Sequence, residues 1–170
     1  ATVYTIHNIA YQGIFEKEVF EETCLPEDVF CNTGIEYYGK INFMKAGIIY
    51  ADIINTVSRK YSEEIQTEEY GCGLQNIMKE RADILFSVIN GVNYNEWNPE
   101  TDTFINANYS RTNISGKMLC KQDLLHQFKL PLSLMKRPLF GIISRLAEQK
   151  GIDLLGETID RLMAFNVGFV

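Results

Sequence analysis

An α/β fold built on parallel sheets is what this 170-residue sequence predicts. Three observations carry it. Short apolar-rich runs recur at 3–6, 52–57, 84–89 and 139–143, and another opens near 166. Runs of that length read as strands buried on both faces. Between them lie segments with helical spacing and capping residues, and strands alternating with helices predict parallel pairing with helices over the sheet. Finally, the turn dipeptide Asn90-Gly91 divides the chain into two such regions, 1–90 and 91–170.

The first strand, 3–6, leads into the loop His7-Asn8-Ile9-Ala10-Tyr11-Gln12-Gly13. The segment up to Gly39 reads as acidic and loop-rich, with short helical stretches near 16–20 and 26–30. Asn42 is suited to cap a helix over 43–51, with Phe43, Ala46, Gly47 and Tyr50 on one face. A second strand follows at 52–57. Ser58 is suited to cap a helix over 59–66, Gly71-Cys72-Gly73 reads as a loop, and 74–80 as a short helix. The third strand, 84–89, is expected to be buried. Residues 97–110 show no period and read as a connector. Ser115 is placed to cap a helix over 116–128, which Pro131 stops. The run at 139–143 reads as a buried strand and 152–165 as a helix, before a last strand. Strand-like runs at both ends lead to the expectation of an internal piece of a longer enzyme.

Composition narrows the functions. At 46% hydrophobic residues and 22% charged, the chain can bury a core and does not read as disordered. The net charge of −6 argues against nucleic acid as the main partner. The charge is uneven. Residues 1–90 hold seven Lys/Arg against fourteen Asp/Glu, and residues 91–170 hold nine against eight, so the second region is the better host for an anion. The four cysteines, Cys24, Cys31, Cys72 and Cys120, form no CxxC pair, and the two histidines lie far from metal-ligand spacing. Reduced thiols and no metal site are expected. Asn108 and Asn113 head glycosylation sequons that read as chance matches. No apolar run approaches the roughly 20 residues that span a bilayer, so no membrane is expected and the cytoplasm is the default.

The residues suited to chemistry follow strands. His7 comes directly after the first strand, and ligands of open α/β sheets sit beyond the carboxyl ends of strands. A histidine there can bind a sugar hydroxyl or move a proton, or it can simply tie down its own loop. Asn90 holds the same place after the third strand, where its amide suits vicinal hydroxyls or serves a plain turn. Arg145 and Lys150 lie five positions apart, between the run at 139–143 and the helix that follows Gly151. Cations beside a helix N-terminus make an anion site, and Arg can grip a diphosphate bidentately; the alternative is a pair of solvated surface charges. Glu148 between them would neutralise part of that charge. Tyr11 and Gln12 line a pocket or pack the loop, and Gly71-Cys72-Gly73 can admit a close backbone approach. Lys45 and Arg59 read as surface cations, and His126 as structural or solvated. GxGxxG, Walker and Ser/His/Asp patterns are absent from the sequence.

These residues fall in blocks that resemble the bacterial glycogen synthase and plant starch synthase family. The blocks are Thr5 to Gly13, Asn42-Phe43-Met44-Lys45-Ala46-Gly47 with Ala51-Asp52 and Thr56-Val57-Ser58, and Tyr70-Gly71-Cys72-Gly73-Leu74. Asn90-Gly91-Val92-Asn93 with Trp97-Asn98-Pro99-Glu100-Thr101-Asp102 and Ser144-Arg145-Leu146 with Gln149-Lys150-Gly151 complete the set, in order, over nearly the whole chain. The resemblance implies a GT-B fold of two Rossmann-like domains, each incomplete here. Residues 1–90 would end the first, acceptor-side domain. Residues 91–170 would supply the linker and the start of the second, nucleotide-sugar domain, with the active site in the cleft between them.

The same resemblance implies glucose transfer from ADP-glucose to the non-reducing end of an α-1,4-glucan, glycogen or starch, with retention and without a cofactor or metal. His7 would contact the transferred glucose, Asn90 its hydroxyls, and Arg145 and Lys150 the donor diphosphate. A UDP-glucose enzyme of the sucrose-synthase type and a non-catalytic glucan-binding module are the alternatives. The location would be the bacterial cytoplasm, or a plastid in a plant. The family's Lys-x-Gly-Gly loop does not occur in the sequence and its glutamate loop would lie beyond Val170, so the chain by itself is expected to be inactive. Asn93 stands where the family commonly has Asp, a change between two turn residues.

Overall fold

A computed structural model describes residues 1–170, the side chain of Glu148 excepted. It divides into two units, Ala1–Gly91 and Val92–Val170. The first runs β1 (Val3–Ile6), β2 (Ile14–Phe15), α1 (Val19–Glu22), β3 (Glu36–Tyr37), β4 (Lys40–Asn42), α2 (Phe43–Tyr50), β5 (Ile53–Thr56), α3 (Arg59–Glu64), α4 (Gln75–Glu80) and β6 (Leu85–Ser87). The second runs α5 (Gly116–Gln127), β7 (Leu139–Phe140), α6 (Ile152–Met163) and β8 (Gly168–Phe169).

In the first unit β1, β5 and β6 form a parallel sheet in the order β1-β5-β6. Val3 pairs with Ile53 and Ile6 with Thr56, so the carboxyl ends of β1 and β5 lie level. The core under this sheet gathers Ile6, Ile48, Ile54, Ile65, Leu74 and Met78, all at most 1% exposed. Full burial of a side chain such as Ile54 stabilises by about 1.5–3 kcal/mol. Gly47 of α2 lies where a Cβ would strike the ring of Tyr4, so the helix reaches the sheet only because no side chain intervenes.

In the second unit a βαβ pair is formed by β7, α6 and β8. Leu139 pairs with Gly168 and Phe140 with Phe169, and the two phenyl rings stack with centroids 5.3 Å apart. Before it, Leu125 of α5 is fully buried, and the Lys121 ammonium donates to the carbonyls of Met135 (3.2 Å) and Arg137. The connector that has no period is built from side-chain turns. The carboxamide of Asn98 and the carboxylate of Asp102 each accept from the amide two residues on, at 3.0 and 2.8 Å, as the carboxamide of Asn93 does just before the connector, at 3.1 Å.

Parallel strands alternating with helices match the fold class expected, and α2 and α3 start where Asn42 and Ser58 place them. Several details differ. The acidic segment contains an antiparallel sheet, order β2-β4-β3, over a small core of Phe20, Ile35 and Ile41. Its strands are two or three residues long, too short to show a period of two. In α2 the buried residues are Met44, Lys45 and Ile48, whereas Phe43 and Tyr50 are exposed. The helix is held on two sides, so the apolar residues do not mark one buried face.

The third strand is shorter than 84–89 and not buried. Leu85 packs against the core, but Phe86, on the other face, is 53% exposed and Ile89 77%. Among the described residues β6 pairs with β5 alone. In the run 139–143, Leu139 and Phe140 are the residues in register with β8. The Ile142 amide donates to the Val170 carbonyl, and Ile143 is fully exposed. Ser115 is not a side-chain cap. Its backbone is already helical, and its hydroxyl donates to Asn113 instead (2.7 Å).

Candidate functional site

The loop after β1 is fixed at several points, and His7 stands exposed on it. Before His7, the Ile6 carbonyl accepts from the Thr56 hydroxyl at 3.0 Å. After it, the Ile9 amide donates to the Tyr61 hydroxyl at 2.8 Å, while the Ile9 side chain is buried. Burial raises the Tyr61 pKa and outweighs the lowering by the Ile9 amide, so the phenol stays neutral at physiological pH. Further on, Gln12 is 7% exposed and not a pocket wall. Its carboxamide donates to the Cys72 carbonyl (2.8 Å) and accepts from Asn42 (2.7 Å). This ties the His7 loop to Gly71-Cys72-Gly73. There Gly73 holds a φ of +85°, and a Cβ on it would collide with the Tyr37 hydroxyl. Tyr11 projects outward, 62% exposed.

Asn90 lies three residues beyond β6, exposed, on the same carboxyl edge as His7. The Val88 amide donates to the Thr56 carbonyl at 2.8 Å, so pairing with β5 runs one residue past β6. With one strand between them, β1 and β6 lie about 10 Å apart. The first unit therefore presents an imidazole and a carboxamide along one edge, an arrangement suited to hydroxyl groups.

The start of α2 lies beside the same loop but is closed to an anion. The amides of Phe43 and Met44 donate to the carbonyls of Gly13 (3.2 Å) and Gln12 (3.0 Å), and the Lys45 amide to the Asn42 side chain (2.9 Å). Lys45 itself is not a surface cation. It is 4% exposed, and its ammonium donates to the carbonyls of Asn32 (2.6 Å) and Glu36. Its backbone position near a helix start gives no hint of this, because the accepting carbonyls belong to the turn and short strand 32–37. Arg59 and His126 are exposed, as expected.

The start of α6 in the second unit is different. Gly151, at φ +65°, supplies no capping side chain. Among the described residues the amides of Ile152 and Asp153 meet no partner, which leaves a helix mouth with free N–H groups. Arg145 and Lys150 are both exposed, and neither forms an ion pair with a described residue. The loop carrying them is turned tightly, with the Ala147 amide on the Arg145 carbonyl and the Lys150 amide on the Ala147 carbonyl, each at 2.9 Å. A depression of about 380 Å³ lies here, lined by Leu146, Ala147, Ile152 and Asp153. Asp153 already draws on the helix dipole, so holding an anion at this mouth depends on the two cations. The neutralising role expected of Glu148 lies outside the described residues. A larger hollow, about 590 Å³ against α5 and Leu139, is lined by none of His7, Asn90, Arg145 or Lys150.

The structure thus brings His7 and Asn90 to one sheet edge and Arg145 and Lys150 to one loop. Gln12 takes the loop-packing role read for it, whereas sequence reasoning missed Thr56 and Tyr61 as supports of the His7 loop. The capping serine Ser58 is the one signal that pointed there, since it starts the helix that carries Tyr61 and its hydroxyl accepts from the Tyr61 amide. No group of three or more His, Cys, Asp or Glu able to hold a metal occurs among the described residues, and no described helix is long and apolar enough to cross a membrane.

Comparison with known proteins bears on this arrangement. Residues 1–80 match the family model of the starch synthase catalytic domain. The chain is 47% identical over 168 residues to the glycogen synthase of Koribacter versatilis, covering 99% of this chain and 34% of that protein. It is 45% identical over all 170 residues to glycogen synthase 1 of Geobacter metallireducens, again 34% of its length. The chain is thus similar to glycogen synthases along its whole length, and its first 80 residues to the starch synthase catalytic domain. Its fold agrees as well: it superposes with a TM-score of 0.91 and 30% identity on the catalytic domain of starch synthase IV from Arabidopsis thaliana bound to ADP and acarbose. That match covers 98% of this chain and 35% of the other. The chain spans about a third of the length of the family members it matches.

Proposed function

We propose that the protein transfers glucose from ADP-glucose to the non-reducing end of an α-1,4-glucan, with retention, in the cytoplasm. Residues 1–90 serve as the end of the acceptor-side domain, and residues 91–170 as the start of the nucleotide-sugar domain. The observation that carries this reading is the open start of α6 with Arg145 and Lys150 beside it and no described partner for either. A nucleoside diphosphate leaving group gains negative charge as the glycosidic bond breaks. Fixed cations and free amides stabilise that charge where it develops. In this reading they take the place of a metal. His7, exposed on a loop tied down on both sides, orients the hexose, and Asn90 binds its hydroxyls. The similarity of the chain to glycogen synthases and the ADP and acarbose bound to the starch synthase IV neighbour support the choice of donor and acceptor.

The test is ADP release with glycogen as acceptor, measured on the full-length protein. Arg145→Ala and Lys150→Ala should each lower turnover by about 10²- to 10³-fold. Near wild-type turnover in both variants refutes the clamp. ADP-glucose should be used in preference to UDP-glucose; the reverse preference refutes the donor assignment.

A further inference from the structure

We infer that Thr56 and Tyr61 are positioning residues that fix the backbone on both sides of His7. The inference rests on the proposed role of His7 at the hexose. Thr56 is fully buried at the carboxyl end of the central strand β5. Its hydroxyl donates to the carbonyl of Ile6, the residue before His7, at 3.0 Å. Its own carbonyl accepts from Val88, on the segment leading to Asn90, at 2.8 Å. One buried residue therefore ties both exposed polar groups of this edge to the same point of the sheet. Tyr61 acts from the other side. Its ring packs against the core, and its hydroxyl holds the Ile9 amide, two residues after His7, at 2.8 Å.

The two bonds matter because of what they bracket. Ile6 is the last residue of β1 in the ladder and the Ile9 amide lies past it, and a loop that leaves the ladder unheld can sample several conformations. Between Ile6 and Ile9 lie His7 and Asn8, and Asn8 is itself tied down: its carbonyl accepts from the Tyr11 amide at 3.3 Å and its side chain from the Ala10 amide at 3.0 Å. The imidazole then starts from a nearly fixed Cα, the preorganisation that a group orienting a reacting sugar needs. Both supports come from the Thr56-Val57-Ser58 run and the helix it starts, so β5 and α3 build the seat and β1 supplies the residue that sits in it.

The test uses the full-length protein and four variants: Tyr61→Phe, Thr56→Val, Thr56→Ser and His7→Ala. The first two keep ring and shape and remove only the hydroxyl. Each should lower kcat by about tenfold or more while KM for ADP-glucose changes less than about threefold. Thr56→Ser, which keeps the donor, should restore kcat. In the His7→Ala background Tyr61→Phe should have no further effect on kcat, because a positioning residue acts only through the group it positions. If His7→Ala is impaired but Tyr61→Phe and Thr56→Val turn over within twofold of wild type, the positioning role is overturned and the role of His7 stands. Equal losses from Tyr61→Phe with and without His7 also overturn it, marking a purely structural bond. Undiminished turnover in His7→Ala overturns the inference together with the reading beneath it.

Discussion

Asn42 holds two segments at once, and replacing it by alanine should show both. Its Oδ1 accepts from the Lys45 amide at 2.9 Å and so caps α2. Its Nδ2 donates to Gln12 at 2.7 Å, and both residues are buried. Loss of an N-cap costs about 1 kcal/mol. Leaving the buried Gln12 oxygen without a donor costs about 1–3 kcal/mol more. The expected destabilisation of Asn42→Ala is therefore about 2–4 kcal/mol, well above a typical surface substitution. Asn42→Ser keeps a capping oxygen but loses the donor to Gln12, so it should show the second part only. Native-state hydrogen exchange reads the effect where it acts. Amides 44–48 should exchange roughly 30- to 1,000-fold faster in Asn42→Ala. Exchange within threefold of wild type at those amides would refute the argument, because it would mean that neither bond contributes to holding α2.

Two further predictions concern the first unit. Gly73→Ala places a Cβ at φ +85° and against the Tyr37 hydroxyl, so urea unfolding should show a loss of about 2 kcal/mol or more, part of which Tyr37→Phe recovers. Burial raises the pKa values of Tyr4, Tyr37 and Tyr61, so the folded state favours the neutral phenols. Their contribution is fully present below the unfolded value of about 10 and is lost as pH rises through the folded values. Urea midpoints should therefore fall above about pH 10, and less steeply in Tyr61→Phe; a flat profile would contradict the burial argument.

Much of the fold was legible in the sequence because its signals are local. Asn42 and Ser58 cap the helices they precede, and each does so through its own side chain at i+3. The parallel sheet follows from apolar runs alternating with helices. Ser115 shows the limit of the same logic. Asn113, two residues earlier, accepts from the Ser115 amide, so the serine enters the helix rather than capping it. The strands of the small antiparallel sheet are too short for any pattern, and they exist because Ile41 and Ile35 are buried against Phe20. The candidate site was legible in part. His7, Asn90, Arg145 and Lys150 could be named from their places after strands and before a helix, but nothing in sequence spacing separates a helix start open to an anion from one that is closed. The amides at the start of α2 are occupied by carbonyls some 30 residues away, and those at the start of α6 are not.

By itself, then, the sequence determined the alternation of strands and helices, the capped helix starts and the residues able to bind an anion or a hydroxyl, all properties set by neighbours a few positions apart. Only the tertiary structure decided that Lys45 is buried on backbone carbonyls, that β6 is an exposed edge, and that Thr56 and Tyr61 hold the backbone around His7. Each of these depends on contacts between residues distant in the chain, whose partners the folded arrangement alone brings within hydrogen-bond or van der Waals reach.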